Sequence, residues 1–340
     1  MKSLHIFVLS IILITSCEKQ STEDEFTLTL DISGALEGDT YLVKRDSGKW
    51  INIDSSNIKT GIIEMSGSIV EPEFYYLKFE KKYVGIFLEA GNIVFKAHVD
   101  SLDKNSISGS KSNEELDLFK SSILPITNNL DDLYKQYRVA IKSDNKDSLK
   151  YISDLIDHKD QERLDETLEY VYNNNKSIVS AYLAMSNNYY LDLEQLESIT
   201  SNFDHSIKQS KYVKSLIERV DKLKTVSIGS TYTNFTMDDT SGNPVQLSSV
   251  IGSNYLLIDF WASWCGPCLK MSLLLEEISE EMKDIKIAKH NLDEEPNKPT
   301  SHGVRGIPTL ILFRDGELKS TKVGLTPKSD IVSWIKESIA

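Results

Sequence analysis

Cysteine is scarce in this chain, and its scarcity excludes a structural zinc site. The 340 residues contain three cysteines, Cys17, Cys265 and Cys268. Structural zinc needs four ligands, and the six histidines offer no pair at the spacing of a zinc motif to complete a set around Cys265 and Cys268. We therefore expect no metal.

Positive charge and long apolar runs are also in short supply. Lys and Arg total 38 against 51 Asp and Glu, a formal net charge of -13 at pH 7, which argues against nucleic acid or an anionic membrane surface as a partner. The apolar stretch from Leu4 to Ile14 is too short to span a bilayer as a permanent helix. We interpret residues 1–16 as an export signal peptide.

The residues that end this signal predict a lipid anchor. The order Leu13-Ile14-Thr15-Ser16-Cys17 resembles the lipobox of bacterial lipoproteins, which implies that Cys17 takes a diacylglyceryl group and that cleavage occurs just before it. An ordinary signal followed by a chance cysteine is the alternative. Buried acyl chains anchor a protein stably, at about 0.8 kcal/mol per CH2. Residues 17–25 would then be a lipidated tether.

Hydrophobic residues make up 40% of the chain, which is ordinary for a globular protein of two or three domains. Short runs with period-two alternation, such as Phe26 to Ile32 and Phe74 to Phe79, predict an antiparallel β domain over residues 26–110, either a sandwich or a small barrel. Alternation should bury about half of its aromatic side chains, so core packing is the simpler interpretation than a partner surface.

The texture changes after residue 110. No glycine occurs between Asn113 and Lys224, and apolar residues fall at helical spacing. Polar breaks near residues 143–146, 173–175 and 187–188 divide this part into four or five predicted helices. We interpret residues 111–225 as a helical spacer or a dimerisation element.

The chemistry is concentrated in the octet Trp261-Ala262-Ser263-Trp264-Cys265-Gly266-Pro267-Cys268, which follows an apolar run and Asp259. Two cysteines at the junction of a buried strand and a helix form a disulfide that opens and closes easily, because unpaired N–H groups and the helix dipole favour a thiolate at the first sulfur. If Cys17 is lipidated, these are the remaining thiols, and they must exchange electrons with another molecule.

Residues 226–340 carry a series of motifs that includes this octet. Their residues are Asp259, Trp261, Trp264-Cys265-Gly266-Pro267-Cys268, Ala288-Lys289, Asn291, Asp293, Gly303, Arg305-Gly306-Ile307-Pro308-Thr309, Asp315-Gly316 and Lys322-Val323-Gly324. This third of the chain resembles a thioredoxin, which implies an α/β thioredoxin fold. Its leading segment, Gly229 to Gly252, resembles the membrane-tethered thioredoxins that serve cytochrome c maturation. Residues 26–110 resemble the small β domain of unknown function that often precedes such a module in envelope lipoproteins.

The resemblance implies a role for each catalytic residue. Cys265 would be the exposed, attacking thiolate, and Cys268, more buried one turn on, would resolve the mixed disulfide. Burial should raise the pKa of Asp259, which lets this residue accept the proton of Cys268. Lys289 would lie near Asp259 and tune it. A structural carboxylate capped by hydrogen bonds is the alternative interpretation of Asp259.

The resemblance also implies a substrate groove. Pro308 should follow a cis peptide and lie against the disulfide, where its missing N–H leaves the preceding backbone to pair with an incoming chain. The predicted substrate-binding residues are Trp264, Gly266, Pro267, Ile307, Thr309 and Gly324. His302, near this loop, either changes the charge of the site with pH or is a surface histidine without that role.

Two positions depart from the family pattern. Leu273 stands where thioredoxins have a helix-kinking proline, so the active-site helix should run straighter. Leu269 replaces the usual basic residue after the second cysteine, and less positive charge there would raise the pKa of the thiolate slightly. Both changes bear on the redox potential and the docking surface.

The sequence thus predicts an exported thiol-disulfide oxidoreductase without cofactor, lipid-anchored in the bacterial cell envelope with a periplasmic redox domain. Gly-Pro between the cysteines, with no histidine there, favours a reductase that passes electrons from a membrane donor to proteins with oxidised cysteines, apocytochrome c among them. A disulfide oxidase or isomerase is one alternative. A lipoprotein whose β domain binds a partner, with the redox domain secondary, is another. A thiol peroxidase is weaker, because its Pro-x3-Thr/Ser-x2-Cys setting is absent before Cys265.

Overall fold

The computed structural model of the chain describes residues 24–34, 38–46, 49–58, 61–143, 146–232, 234–238, 243–251, 255–294, 302–304 and 306–339. The chain divides into two compact units, Met1–Lys159 and Asp160–Ala340. The predicted signal peptide and Cys17 lie outside the described residues. None of the described helices is both long enough and apolar enough to cross a membrane.

Within the described part of the first unit, eight strands form two four-stranded sheets. The strands are β1 (Glu25–Ser33), β2 (Gly38–Asp46), β3 (Lys49–Ile58), β4 (Ile62–Ser68), β5 (Glu73–Phe79), β6 (Lys82–Leu88), β7 (Gly91–His98) and β8 (Ser106–Ser108). One sheet has the order β4-β1-β7-β8 and the other β3-β2-β5-β6. Neighbouring strands are antiparallel except β1 and β7, which are parallel.

Alternation of apolar and polar residues explains the core of this β domain. Phe26, Leu28, Leu30 and Ile32 on β1 point inward, where they join buried side chains from both sheets. By contrast, none of the β3 side chains that the structure describes belongs to this core, and β3 is held by pairing along the length of β2. Ile51 and Ile53 alternate with Asn52 and Asp54, but both isoleucines are exposed, so the alternation in this strand does not mark a core-facing side.

Five α-helices follow among the described residues: α1 (Lys111–Lys142), α2 (Lys146–Asn173), α3 (Ile178–Asn187), α4 (Leu193–Asn202) and α5 (Lys211–Lys224). Side-chain caps fix where several of them begin. Ser110 and Ser210 accept N–H bonds at the starts of α1 and α5, and Asp192 with Gln195 forms a capping box at α4. Glycine is absent from this stretch, so the chain keeps helical backbone between the polar breaks.

The C-terminal domain is built on a four-stranded sheet with helices that cover one face. After the hairpin of β9 (Thr236–Asp238) and β10 (Pro244–Gln246) come α6 (Leu247–Val250), β11 (Tyr255–Trp261), α7 (Gly266–Glu281), β12 (Ile285–Asn291), β13 (Thr309–Arg314), β14 (Glu317–Val323) and α8 (Lys328–Ile339). The sheet order is β12-β11-β13-β14, with β11 and β12 parallel and the other pairs antiparallel. The predicted fold class is confirmed.

The position of β11 in this sheet prepares the site. It lies between β12 and β13, and its apolar run is buried on both faces. Leu257 packs under α7 and α8, whereas Ile258 and Phe260 point into a second core on the other face. Before β11, Leu247–Val250 form a helical turn that the Ile251 N–H closes on the Leu247 carbonyl.

Candidate active site

The two cysteines lie where β11 gives way to α7. Cys265 is the N-cap of α7, with extended backbone, and its Sγ accepts the Cys268 N–H at 3.2 Å. Pro267 stands in the first turn, where its missing N–H leaves no helical bond unmade. The unpaired N–H groups and positive dipole end of this helix therefore surround the first sulfur.

Cys265 and Cys268 form a disulfide. Cys268 is fully buried, and Cys265 is only 6% exposed, so the prediction of an exposed first cysteine is wrong for this disulfide form. The physical reason is packing: Ala262, Cys265 and Cys268 form one small buried cluster, and Trp261, Leu292 and Ile307 pack against it. Gly266 and Pro267, between the cysteines, are exposed.

Asp259 is fully buried in the middle of the sheet, on the face covered by α7. Its Oδ2 lies 3.5 Å from the Ser272 Oγ, and its Oδ1 has no hydrogen-bond partner among the described residues. Burial raises the pKa of Asp259 from its ordinary value of 3.8 to about 6, while the positive charge of Lys289 and the Ser272 hydrogen bond oppose the rise. A carboxyl group with this pKa can exchange a proton near neutral pH.

Lys289 lies beside Asp259 in the parallel register of β11 and β12. Its Nζ is 3.0 Å from the Glu276 Oε1 on α7, so the ammonium group pairs with this exposed carboxylate while its charge also acts on Asp259. The sequence predicts Lys289 as the tuning cation, but neither Ser272 nor Glu276. Their only signal is the four-residue spacing Cys268, Ser272, Glu276 on one helix.

The loop before β13 faces the disulfide. The peptide bond between Ile307 and Pro308 is cis, and Ile307 packs against the two cysteines. The Gly324 N–H donates to the Pro308 carbonyl at 2.8 Å, and the buried Thr309 Oγ1 donates to the Gly306 carbonyl at 2.6 Å. Gly324 has φ +90°, a conformation that favours glycine. These bonds fix the loop that the resemblance assigns to substrate binding.

A carboxylate holds the turn that carries Trp264. Asp293 accepts the Ser263 N–H at 2.7 Å and the Trp264 indole N–H at 2.9 Å. These hydrogen bonds lower the pKa of Asp293, and bonding to Ser263 contributes most to the shift. The Trp264 ring is 72% exposed beside Cys265. In the sequence, Asp293 is visible only as part of a motif, without a role.

Further apolar side chains are exposed in the same domain. Leu269 and Leu273 project from α7, which runs unbroken through Leu273, and Val323 and Leu325 flank Gly324.

His302 is not a surface residue. It is 5% exposed, and its ring contacts Phe235 and Phe260 at centroid distances of 5.0 and 5.9 Å. His290 on β12 is buried against the same two rings. Phe260 alternates with Asp259 along β11, so both histidines lie on the sheet face opposite the acid. Among the described residues, no group of three or more His, Cys, Asp or Glu side chains could hold a metal ion.

Comparisons with known proteins match both ends of the chain. The family profile described as Thioredoxin matches residues 245–337, and the profile described as Domain of unknown function (DUF4369) matches residues 26–116. The thioredoxin of Rickettsia felis is 49% identical over 85 residues, which are 25% of this chain and 81% of that protein. The thioredoxins of Rhodospirillum rubrum and Acidithiobacillus ferridurans are each 46% identical, over 83 and 88 residues, covering 24% and 26% of this chain and 80% and 82% of theirs.

Proposed function

Because this chain belongs to the thioredoxin family through its C-terminal domain, we propose that it is a thiol-disulfide oxidoreductase that reduces disulfides in other proteins. The observation that carries the proposal is the Cys265–Cys268 disulfide at the N-terminus of α7, with the buried carboxyl of Asp259 on the sheet face under that helix. This arrangement supplies a nucleophile and a proton acceptor.

The first step of the reduction uses Cys265. In the dithiol form, its thiolate attacks one sulfur of a substrate disulfide, a bond forms between that sulfur and the Cys265 Sγ, and the substrate S–S bond breaks. The released substrate thiolate takes a proton from water. The N–H groups at the start of α7 stabilise the attacking thiolate, and Trp264 and Ile307 flank the place where the substrate chain must lie.

The second step uses Cys268 and Asp259. The ionised Asp259 accepts the proton of the Cys268 thiol, and the new thiolate attacks the Cys265 sulfur of the mixed disulfide. The Cys265–Cys268 bond forms, the bond to the substrate breaks, and the second substrate thiolate leaves. Two electrons have then passed from the protein dithiol to the substrate disulfide.

The direction of electron flow is part of the proposal. Gly266-Pro267 between the cysteines supports a reducing rather than an oxidising pair, and no histidine stands there to stabilise the dithiol form further. We propose a membrane electron donor, and substrates that are envelope proteins with oxidised cysteines, apocytochrome c among them. The leading segment Gly229 to Gly252 supports this last assignment by its resemblance to thioredoxins of that system.

Replacement of Cys268 by Ser should trap substrates. The variant keeps the attacking Cys265 but cannot resolve the mixed disulfide, so substrate proteins stay covalently attached and are released by dithiothreitol. Non-reducing electrophoresis and mass spectrometry of the adducts from cells measure this. The double variant Cys265→Ser/Cys268→Ser, which has no attacking sulfur, should capture nothing.

Two further measurements complete this test. The purified wild type should reduce insulin with dithiothreitol as the electron source, and the cysteine pair in growing cells should be mostly dithiol. Absence of both the adducts and insulin reduction would overturn the oxidoreductase assignment. A pair that is mostly disulfide in cells would instead favour the oxidase alternative.

We also propose that Cys17 carries a lipid that tethers the protein in the bacterial cell envelope, with the redox domain in the periplasm. The lipobox-like order before Cys17 supports this assignment. Metabolic labelling with a radioactive fatty acid should mark the wild type, and Cys17→Ser should remove the label and release the protein from the membrane fraction. Equal labelling of both would refute the anchor at this residue.

A further inference from the structure

Three polar side chains follow one another along the face of α7 that looks onto β11 and β12. Cys268, Ser272 and Glu276 are separated by four residues each, the spacing that places side chains one turn apart on the same face. Exposure rises along the row: Cys268 is fully buried, Ser272 is half-buried, and the Glu276 side chain is 66% exposed.

Two polar side chains of the sheet lie opposite this row of three. Asp259 and Lys289 are neighbours in the register of β11 and β12. Ser272 Oγ lies 3.5 Å from Asp259 Oδ2, and Glu276 Oε1 lies 3.0 Å from Lys289 Nζ. Each side chain of the sheet pair therefore has its own partner on α7.

We infer that Ser272 is a positioning residue for the Asp259 carboxyl, and that Glu276 limits the positive charge which Lys289 presents to it, so that the two α7 residues set the pH at which Cys268 becomes reactive. This inference rests on the proposed function, because it assigns Asp259 the proton of Cys268.

The chemistry of the hydroxyl group supports the positioning role of Ser272. A serine can donate to an ionised carboxyl and accept from a protonated one, so Ser272 can hold Asp259 in either state. No other side-chain hydrogen bond to Asp259 is present among the described residues, since Oδ1 has no partner. The bond to Ser272 opposes the rise of the Asp259 pKa caused by burial, so its loss should raise that pKa further.

The charges near Asp259 support the role inferred for Glu276. The groups that act on Asp259 are Lys289 from β12 and Ser272 from α7, with Cys268 one turn before Ser272 on that helix. The other elements on this face contribute apolar side chains, Leu310 from β13 and Ile331 and Ile335 from α8. Glu276 acts through Lys289. Removing its negative charge leaves the ammonium group less compensated, which should lower the Asp259 pKa. The two α7 residues thus act in opposite directions, which a general loss of structure cannot imitate.

The test is the pH profile of the resolving step. Reduced protein is mixed with excess insulin in a single turnover, and the rate of Cys265–Cys268 disulfide formation is followed between pH 5 and 8 at low salt. The wild-type rate should rise with a midpoint near pH 6. Ser272→Ala should move the midpoint up by about one pH unit, which is about a tenfold loss of rate below the midpoint, and Glu276→Gln should move it down by less.

Matched variants separate positioning from stability. Ser279 is on the same helix, but its Oγ donates to the Glu276 carbonyl, so Ser279→Ala should keep the wild-type midpoint. Ser272→Thr retains the hydroxyl group and should restore it. A Ser272→Ala midpoint equal to that of Ser279→Ala would overturn the role of Ser272.

The remaining outcomes of the experiment also test the roles of Ser272 and Glu276 and the proposed function. If Ser272→Ala does not fold, a Ser272→Thr midpoint that differs from the wild-type value would overturn that role. A Glu276→Gln midpoint that is unchanged or raised would overturn the role of Glu276. If the wild type fails to reduce insulin at any pH, the proposed function itself fails, whereas an active wild type with unmoved midpoints refutes this inference alone.

Discussion

Replacement of Asp259 by Asn should slow disulfide reduction at pH 7 by about 30- to 100-fold, near the lower end of the range that a positioned general base usually contributes. The asparagine side chain would keep the shape of the aspartate but could not accept the proton of Cys268. The first step, attack by Cys265, does not use Asp259 and should keep its rate. Rapid quenching should therefore show a mixed disulfide that accumulates in the variant.

The pH dependence of this loss has a definite sign. Burial raises the Asp259 pKa to about 6, so the wild type has its proton acceptor above pH 6 and loses it as the pH falls. The variant depends on unassisted ionisation of Cys268, and the pKa of a free cysteine thiol is about 8.5. The difference between the two proteins should be largest near pH 7 and should shrink toward pH 9. Equal rates at pH 7 would contradict the role of Asp259.

The same substitution should stabilise the fold. The pKa of Asp259 is higher in the folded protein, about 6, than its ordinary value of 3.8, so the carboxyl favours folding below pH 4 and loses that contribution as the pH rises through 6. An ionised carboxyl buried at pH 7 costs up to about 3 kcal/mol on this basis. Asp259→Asn should therefore raise the free energy of unfolding at pH 7 but not at pH 4, which urea unfolding at the two pH values measures.

The reactive pair and its acid can be located from the sequence because those residues depend on local order. Cys265 and Cys268 stand at a strand-to-helix junction, and Asp259 lies on the strand six residues before Cys265, the offset that the thioredoxin resemblance associates with a proton acceptor. The predicted order of a β domain of unknown function before a thioredoxin domain is confirmed. Local patterns also mark the polar breaks between the helices.

What the sequence does not reveal depends on contacts between distant elements. The roles proposed for Ser272 and Glu276 follow only from their contacts with Asp259 and Lys289, which belong to other elements of the fold. The parallel pairing of β1 with β7 joins strands that lie far apart in the chain. His302 resembles a surface residue in the sequence because its loop is polar, yet the aromatic rings of Phe235 and Phe260 cover it. Periodicity carries none of this information.

Truncation of Phe260 to Ala should produce the largest loss of stability in the C-terminal domain, about 3–5 kcal/mol of unfolding free energy. The ring is fully buried in the core on the sheet face opposite Asp259, and it contacts the rings of His290 and His302. Deleting it removes apolar burial and leaves a cavity beside two histidines. Phe260→Leu, which retains most of the volume, should cost much less.

Trp264→Ala is the matched control, because Trp264 is an aromatic residue four positions further along the chain that is 72% exposed. Its loss should change the unfolding free energy by less than about 1 kcal/mol, while it weakens substrate docking beside Cys265. Urea unfolding in a Trp50→Phe background measures both variants, since the remaining tryptophans all lie beyond residue 160 and their fluorescence reports on that unit alone. A Phe260→Ala protein as stable as Trp264→Ala would mean that the ring is not part of a close-packed core, and that the sheet face behind Asp259 can collapse around its absence.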